Sequence, residues 1–170
     1  ISLYRLKLST LIDNKIKEKL NEVELTIQSM SKIHEMLYNQ KGTENLNVYN
    51  YFKILIGNLK NTSTKNIEYN LEIQSELDLS KLIFCGIIIN ELITNSIKYA
   101  FKDKGKITIK LKNEGKKTIF EIKDNGIGFK QKEIKKESFG LLLVKTLVEN
   151  DLKGNFIVNS EKGTHIKIIF

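Results

Sequence analysis

Three short stretches of this sequence set residues capable of chemistry at informative spacings. In Asn90-Glu91-Leu92-Ile93-Thr94-Asn95-Ser96-Ile97-Lys98-Tyr99, a helical repeat places Glu91, Asn95 and Lys98 at i, i+4 and i+7, a carboxylate, an amide oxygen and an ammonium on one stripe. Carboxylate and amide oxygens suit Mg²⁺, and Lys suits a phosphate. Taken alone, the same stripe also reads as the solvated polar face of an amphipathic helix. In Asp124-Asn125-Gly126-Ile127-Gly128-Phe129, an acidic residue ends a run of strand character. Such a carboxylate is fixed in direction and can accept a hydrogen bond from an exocyclic amine, while Gly126 and Gly128 allow close approach of backbone to a ligand or a positive φ. A plain Asp-Asn-Gly hairpin turn is the competing reading, weakened because no paired strand follows directly. Ser138-Phe139-Gly140-Leu141 opens a helix, where exposed backbone N–H groups at the positive end of the dipole can take an anion. Gly140 is equally readable as a simple helix-start residue.

These residues need elements to position them. Between Asp13 and Tyr38 apolar residues recur every three or four positions (Ile16, Leu20, Val23, Ile27, Met30, Ile33, Leu37), predicting a long amphipathic helix with a narrow stripe. Residues 1–9 read as the tail of an earlier helix and Thr10–Asn14 as the turn between them. Two antiparallel helices sharing one seam cannot bury both faces, so this part is expected to dimerise into a four-helix bundle. A polar connection, Gln40–Asn47, and a short helix, Val48–Leu59, lead to an Asn/Thr/Ser/Lys loop at residues 61–66, which predicts a domain division of 1–60 and 61–170. Beyond it the period falls to two. Ile67, Tyr69, Leu71 and Ile73 mark a strand, Ser80–Phe101 a helix, and Ile107, Ile109 and Leu111 a second strand. A turn at Asn113-Glu114-Gly115 returns the chain through Thr118–Lys123. Lys130–Ser138 reads as a short polar lid, Gly140–Leu152 as a helix closed by Gly154, and Phe156–Phe170 as a hairpin turning at Glu161-Lys162-Gly163. The pattern predicts an α+β chain: a truncated antiparallel helical hairpin, then a sandwich with helices on one face of a mixed, mostly antiparallel sheet.

The three stretches, in this order and spacing, resemble the Bergerat-type ATP-binding domain shared by sensor histidine kinases, gyrase, heat-shock-type chaperones and mismatch-repair ATPases. Glu91–Phe101 resembles its N box, Asp124–Phe129 its first glycine box and Ser138–Leu141 a reduced second one, one glycine short of the fuller pattern. Gly163-Thr164 sits where that family has a Gly-Thr before its last strand, so the resemblance covers about residues 62–170. The segment Thr26–Tyr38 resembles the second dimerisation helix of type-2 histidine kinases, and the absence of Trp disfavours the group marked by a Trp-x-Glu signature. The resemblance implies that Asn95 holds Mg²⁺ bridging the ATP phosphates, with Glu91 beside it as a polarising base or outer metal group. Lys98 and Tyr99 would contact phosphate or ribose. Asp124 would take the adenine amine, with Gly126, Ile127 and Gly128 lining the base. Phe139, Gly140 and Leu141 would cradle the phosphates, and Thr164 would back the adenine. It implies an ATP-dependent protein histidine kinase that relays phosphoryl to a response-regulator receiver domain, with a GHKL-type ATPase or anti-sigma-type serine kinase using Glu91, or a non-catalytic nucleotide-sensing dimerisation module, as alternatives.

The remaining composition fits this frame. Net charge is +8, but residues 102–136 hold twelve Lys against five acidic residues, +7 of that total. With 27 Lys and a single Arg (Arg5), the chain lacks the planar forks of base reading, so nucleic acid is not expected as a partner. The lysine island is expected instead to raise the local concentration of anionic ATP. His34-Glu35 imitates a phosphoacceptor and its base, but no Pro follows and the helix is the second of its pair. The acceptor is therefore expected upstream of Ile1, whose position without Met or leader suggests a piece of a longer chain. His165 is expected to face solvent, and two His and one Cys far apart argue against zinc. The one Cys and the lack of about 20 consecutive apolar residues predict a cytoplasmic segment without membrane contact.

Overall fold

The structure, a computed structural model, describes Ser31 and residues 47–61, 63–129 and 139–170. The expected helical hairpin, its turn, His34 and the lid at 130–138 lie outside the described residues. Helix α1 (Val48–Asn61) turns Val48, Tyr51, Phe52, Leu55 and Ile56 inward at spacings of three and four. Strand β1 (Asn66–Ile73) follows, then helix α2 (Leu79–Asn95). The Asp78 side chain caps α2 by accepting the Lys81 N–H at 2.9 Å. That hydrogen bond, before all else, holds the Asp78 carboxyl below its ordinary range. At its far end α2 widens into a π-helical turn, Ser96–Ala100.

Strands β2 (Lys104–Glu114) and β3 (Lys117–Asp124) form a hairpin whose two-residue turn is Gly115-Lys116, one residue later than the sequence suggests. Helix α3 (Phe139–Thr146) likewise ends in a π-helical turn, Leu147–Asp151, and strands β4 (Asn155–Asn159) and β5 (His165–Ile169) close the chain. Gly154 does not supply the left-handed residue expected after α3. Lys153 does, at φ 53°, while Gly154 is needed because a Cβ there would lie 2.6 Å from the Ile169 carbonyl oxygen.

The sheet runs β1-β2-β3-β5-β4. Strands β1 and β2 pair in parallel, Ile67 opposite Gly105 through Ile73 opposite Leu111, because α2 carries the chain back to the start of the sheet between them. The other three pairings are antiparallel, giving the mixed sheet. One face carries Ile107, Ile109, Leu111, Phe120, Ile122, Ile166 and Ile168 into the core. There they meet Leu82, Cys85, Ile88, Ile89 and Ile93 of α2, Val144 and Val148 at α3, and Phe52 of α1, whose ring centroid lies 6.0 Å from that of Phe120. The segment Val48–Asn61 thus shares one core with the sheet. Burial pushes the Cys85 thiol up, so it behaves as a small apolar side chain. By length and composition the stretch Leu79–Ala100 could cross a membrane, at a mean hydropathy of 1.3, yet it is the central helix of this core.

Candidate nucleotide site

The base of the site is the end of β3. Asp124 is 3% exposed, and its carboxylate is held from three sides. Its Oδ1 accepts the backbone N–H groups of Gly126 at 2.9 Å and Thr164 at 3.0 Å. Its Oδ2 accepts the Ser96 hydroxyl at 2.9 Å. A carboxylate oxygen has two lone pairs, so Oδ1 is filled and Oδ2 keeps one acceptor position. The Ser96 hydroxyl also lies 3.1 Å from the Leu92 carbonyl oxygen, and its single proton serves one of the two at a time.

The glycine loop after Asp124 is tied down by main chain. Asn125 exchanges two hydrogen bonds with Lys106, through its N–H at 3.1 Å and its Oδ1 at 2.7 Å. The Ile127 N–H donates to the Ala100 carbonyl at 3.1 Å, and a Cβ on Gly126 would lie 2.5 Å from that same oxygen. Close approach therefore demands glycine at 126. At Gly128 the demand is conformational, with φ +67°, and the following Phe129 N–H donates to Ser160 Oγ at 2.7 Å. Gly163, at φ +81°, packs on the Asp124 carbonyl and brings Thr164 within reach of the Asp124 carboxylate and N–H. Thr164 thus supports Asp124 with both its N–H and its carbonyl, which accepts the Asp124 N–H at 2.9 Å.

The other end of the site lies where α3 begins. A Cβ on Gly140 would stand 2.5 Å from Glu91 Oε2 and 3.9 Å from Asn95 Nδ2, so the first turn of α3 sits over the polar stripe of α2. Glu91, Asn95 and Gly140 are brought together, as are Asp124, Gly126 and Thr164, and the Ser96 bond joins the two groups. Lys98 and Tyr99 stand exposed on the π turn, Tyr99 at 64%. Ile127 is 79% exposed on the glycine loop. Leu141 packs at the edge of the core, and Phe139 is the first residue of α3. Ser96, Ala100 and Ser160 are supporting residues that no sequence signal single-handedly marks. Ser96 alone had a cue, as the hydroxyl adjacent to Asn95.

Three lysines of the island, described on β2, point away from this site. On β2, Lys106, Lys110 and Lys112 alternate with the core residues Ile107, Ile109 and Leu111 and so face the opposite side of the sheet from the helices. Lys106 pairs with Glu68 and Lys110 with Glu72, each at 2.7 Å, and Lys112 pairs with Glu114. The hydrogen bond from Lys110 lowers the Glu72 pKa. On the same face Glu121 lies 3.4 Å from both His165 and Lys167. A count along the sequence misses Glu68 and Glu72, which parallel pairing brings across from β1.

The residues present fit a nucleotide with its metal. No group of three His, Cys, Asp or Glu among the described residues could hold a cation by itself. Glu91 and Asn95 offer the few oxygens that suit Mg²⁺ when phosphates complete its shell. The acceptor position left on Asp124 Oδ2 suits an amine, and Gly140 lets the backbone of α3 approach the Glu91 carboxylate closely.

Residues 82–170 match the family model described as "Histidine kinase-, DNA gyrase B-, and HSP90-like ATPase". Residues 1–63 match that described as "Histidine kinase". Among solved structures, the chain is similar to the histidine kinase domain of the Erythrobacter litoralis EL346 blue-light activated histidine kinase, at TM-score 0.71 and 17% identity over 94% of this chain and 85% of that one. It also matches a longer form of that kinase (TM-score 0.66, 16% identity), covering 92% of this chain but 54% of that one. The Acinetobacter baumannii histidine kinase AdeS aligns at TM-score 0.59 and 19% identity over 88% and 79% of the respective chains. No curated protein matches. At such identities the structural likeness is one of fold, but the first family match spans just over half of the 170 residues. The chain belongs to the histidine kinase-, DNA gyrase B- and HSP90-like ATPase family and, with its two matched segments in this order, is a sensor histidine kinase core.

Proposed function

We propose that the chain binds ATP with Mg²⁺ and transfers the γ-phosphoryl group to a histidine, from which an aspartate of a response-regulator receiver domain takes it. The observation that carries the nucleotide reading is Asp124, a buried carboxylate held by three donors with one acceptor position left. The adenine amine fills that position, and the glycine loop at Gly126, Ile127 and Gly128 lines the base. Asn95, with Glu91 beside it, would hold Mg²⁺, which when bound neutralises phosphate charge. Phe139, Gly140 and Leu141 open the helix that receives the phosphates, and Lys98 and Tyr99 reach phosphate or ribose from the π turn. A histidine nitrogen attacks the γ-phosphorus as its bond to the β-phosphate oxygen breaks, a transfer that needs positioning and charge neutralisation more than covalent help from the protein. A homodimer formed through the N-terminal helices, an acceptor other than His34 and a cytoplasmic location belong to the same proposal.

Binding tests the reading first. Mg-ATP is expected to raise the melting temperature of the wild-type chain. Asp124→Asn is expected to weaken ATP at least about tenfold, because it replaces a charged acceptor in a hydrogen bond worth ~1.5–3 kcal/mol. A folded Asp124→Asn variant with an undiminished shift would sink the adenine assignment. Acid-labile label from γ-labelled ATP on a chain carrying the preceding helix tests the transfer, and loss of that label in His34→Gln would contradict the proposed acceptor.

A further inference from the structure

Lys65 stands in the connector between α1 and β1, outside every motif in the sequence. Its ammonium donates to the Ile97 carbonyl at 2.6 Å and to the Phe101 carbonyl at 2.7 Å. Ile97 is the second residue of the π turn at the end of α2 and Phe101 directly follows it, where a helix leaves acceptors unfilled and its dipole is negative. The connector is itself pinned. Ser63 N–H donates to the Lys60 carbonyl, Lys65 N–H to Ser63 Oγ at 3.1 Å, and Asn66 N–H to the Asp103 carbonyl at 2.8 Å.

What Lys65 grips leads directly to the base end of the site. The π turn carries Ala100, whose carbonyl accepts the Ile127 N–H and whose methyl and carbonyl groups press on Gly126. The Gly126 N–H in turn donates to Asp124 Oδ1. Each link is a hydrogen bond or a close contact, running from the Lys65 side chain to that of Asp124. Lys suits the first link because an ammonium has three donors and can satisfy two carbonyls from one position. A π-helical turn is a strained local choice that turns up where function fixes it, and here the ammonium satisfies one carbonyl within the turn and one directly after it.

We infer that Lys65 is a positioning residue for the nucleotide site: it fixes the last turn of α2, so that Ala100 holds the glycine loop against Asp124 and ties the base end to the connector after α1. The inference rests on the proposed reading of Asp124 as the partner of the base. It differs from simple capping of a helix end in where the consequence falls. A cap would add to overall stability alone, whereas a positioning residue changes affinity in the molecules that remain folded.

The test uses the whole chain with Lys65→Met, and Lys65→Gln in parallel, which keeps an amide donor on a shorter stem and serves if the Met variant does not fold. Dissociation constants for Mg-ATP and Mg-ADP are measured well below the melting temperature, and amide exchange is followed at Ile127 and at Ile109 in the sheet core. Lys65→Met, which removes both hydrogen bonds of the ammonium, is expected to raise both dissociation constants about tenfold. The two nucleotides should suffer alike because the damage lies at the base. Exchange at Ile127 is expected to accelerate while that at Ile109 stays slow. Dissociation constants within about twofold of wild type, whatever the change in melting temperature, would overturn the inference. Equal acceleration at Ile127 and Ile109 would do the same, since it reports global loosening. A wild-type chain that binds neither nucleotide would overturn the Asp124 reading and this inference with it, whereas wild-type binding with unaltered variants would overturn this inference alone.

Discussion

Gly140 has no room for a methyl group, because its Cβ would fall 2.5 Å from Glu91 Oε2. The end of a Glu side chain can yield, so Gly140→Ala should fold, and exchanging Gly for Ala in a helix even favours it by about 0.5–1 kcal/mol. The displaced carboxylate is what suffers. Phosphoryl transfer is expected to fall roughly 100-fold, the scale of an ångström's misplacement at a reacting centre, with the melting temperature unchanged or higher. Transfer at the wild-type rate in a folded Gly140→Ala variant would remove Glu91 and Gly140 from the machinery. At this scale residue type and spacing single out Glu91, Asn95, Asp124 and Gly126 as candidates, and the roles proposed for them rest on that and on their placement. The sequence was silent where a main-chain group does the work. Ala100 contributes a carbonyl and Thr164 a backbone N–H, and neither side chain's identity announces that.

The elements themselves were read from period. Alternation found β1, β2 and β3, and the helix read over Ser80–Phe101 spans α2 together with its π turn, Leu79–Ala100, within one residue at each end. The Asp78 cap sets the start of α2 and carries a pH signature. Because the folded carboxyl titrates below its ordinary value, its contribution is present in full above the unfolded aspartate pKa of about 3.9 and disappears as pH falls through the lowered folded value. Asp78→Ala is expected to cost about 1 kcal/mol at neutral pH, and the gap to wild type should close under strong acid, as urea melts at several pH values will show. A gap that persists at the acid end would mean the cap acts through something other than its charge. Pairing was the illegible part. Alternation in β1 does not reveal that its neighbour is β2 in parallel register, since that depends on where α2 returns the chain. The π turns at Ser96–Ala100 and Leu147–Asp151 have no pattern of their own, because five residues cannot display a period of 4.4.

At the scale of the whole molecule, α1 is bound into the same apolar core as the sheet, with Phe52 fully buried against Phe120. Phe52→Ala is expected to cost ~3–5 kcal/mol and to lower a single unfolding transition seen alike by helix and sheet signals. A variant in which α1 melts early while the sheet melts at the wild-type temperature would show that the two are separable. The charge island teaches a related lesson about distance. Two of its positive charges are offset by acids from another strand, since parallel pairing lays Glu68 and Glu72 against Lys106 and Lys110. The base end of the site is built on a similar principle of shared construction, with Gly126 N–H, Thr164 N–H and the Ala100 carbonyl as its main-chain frame. A drug-like competitor that reads those groups would meet atoms that no codon change can delete. On the proposed reading of Asp124, escape would have to come by crowding at Gly126 or by loss of Asp124, and either change would weaken nucleotide binding too, leaving few paths to resistance.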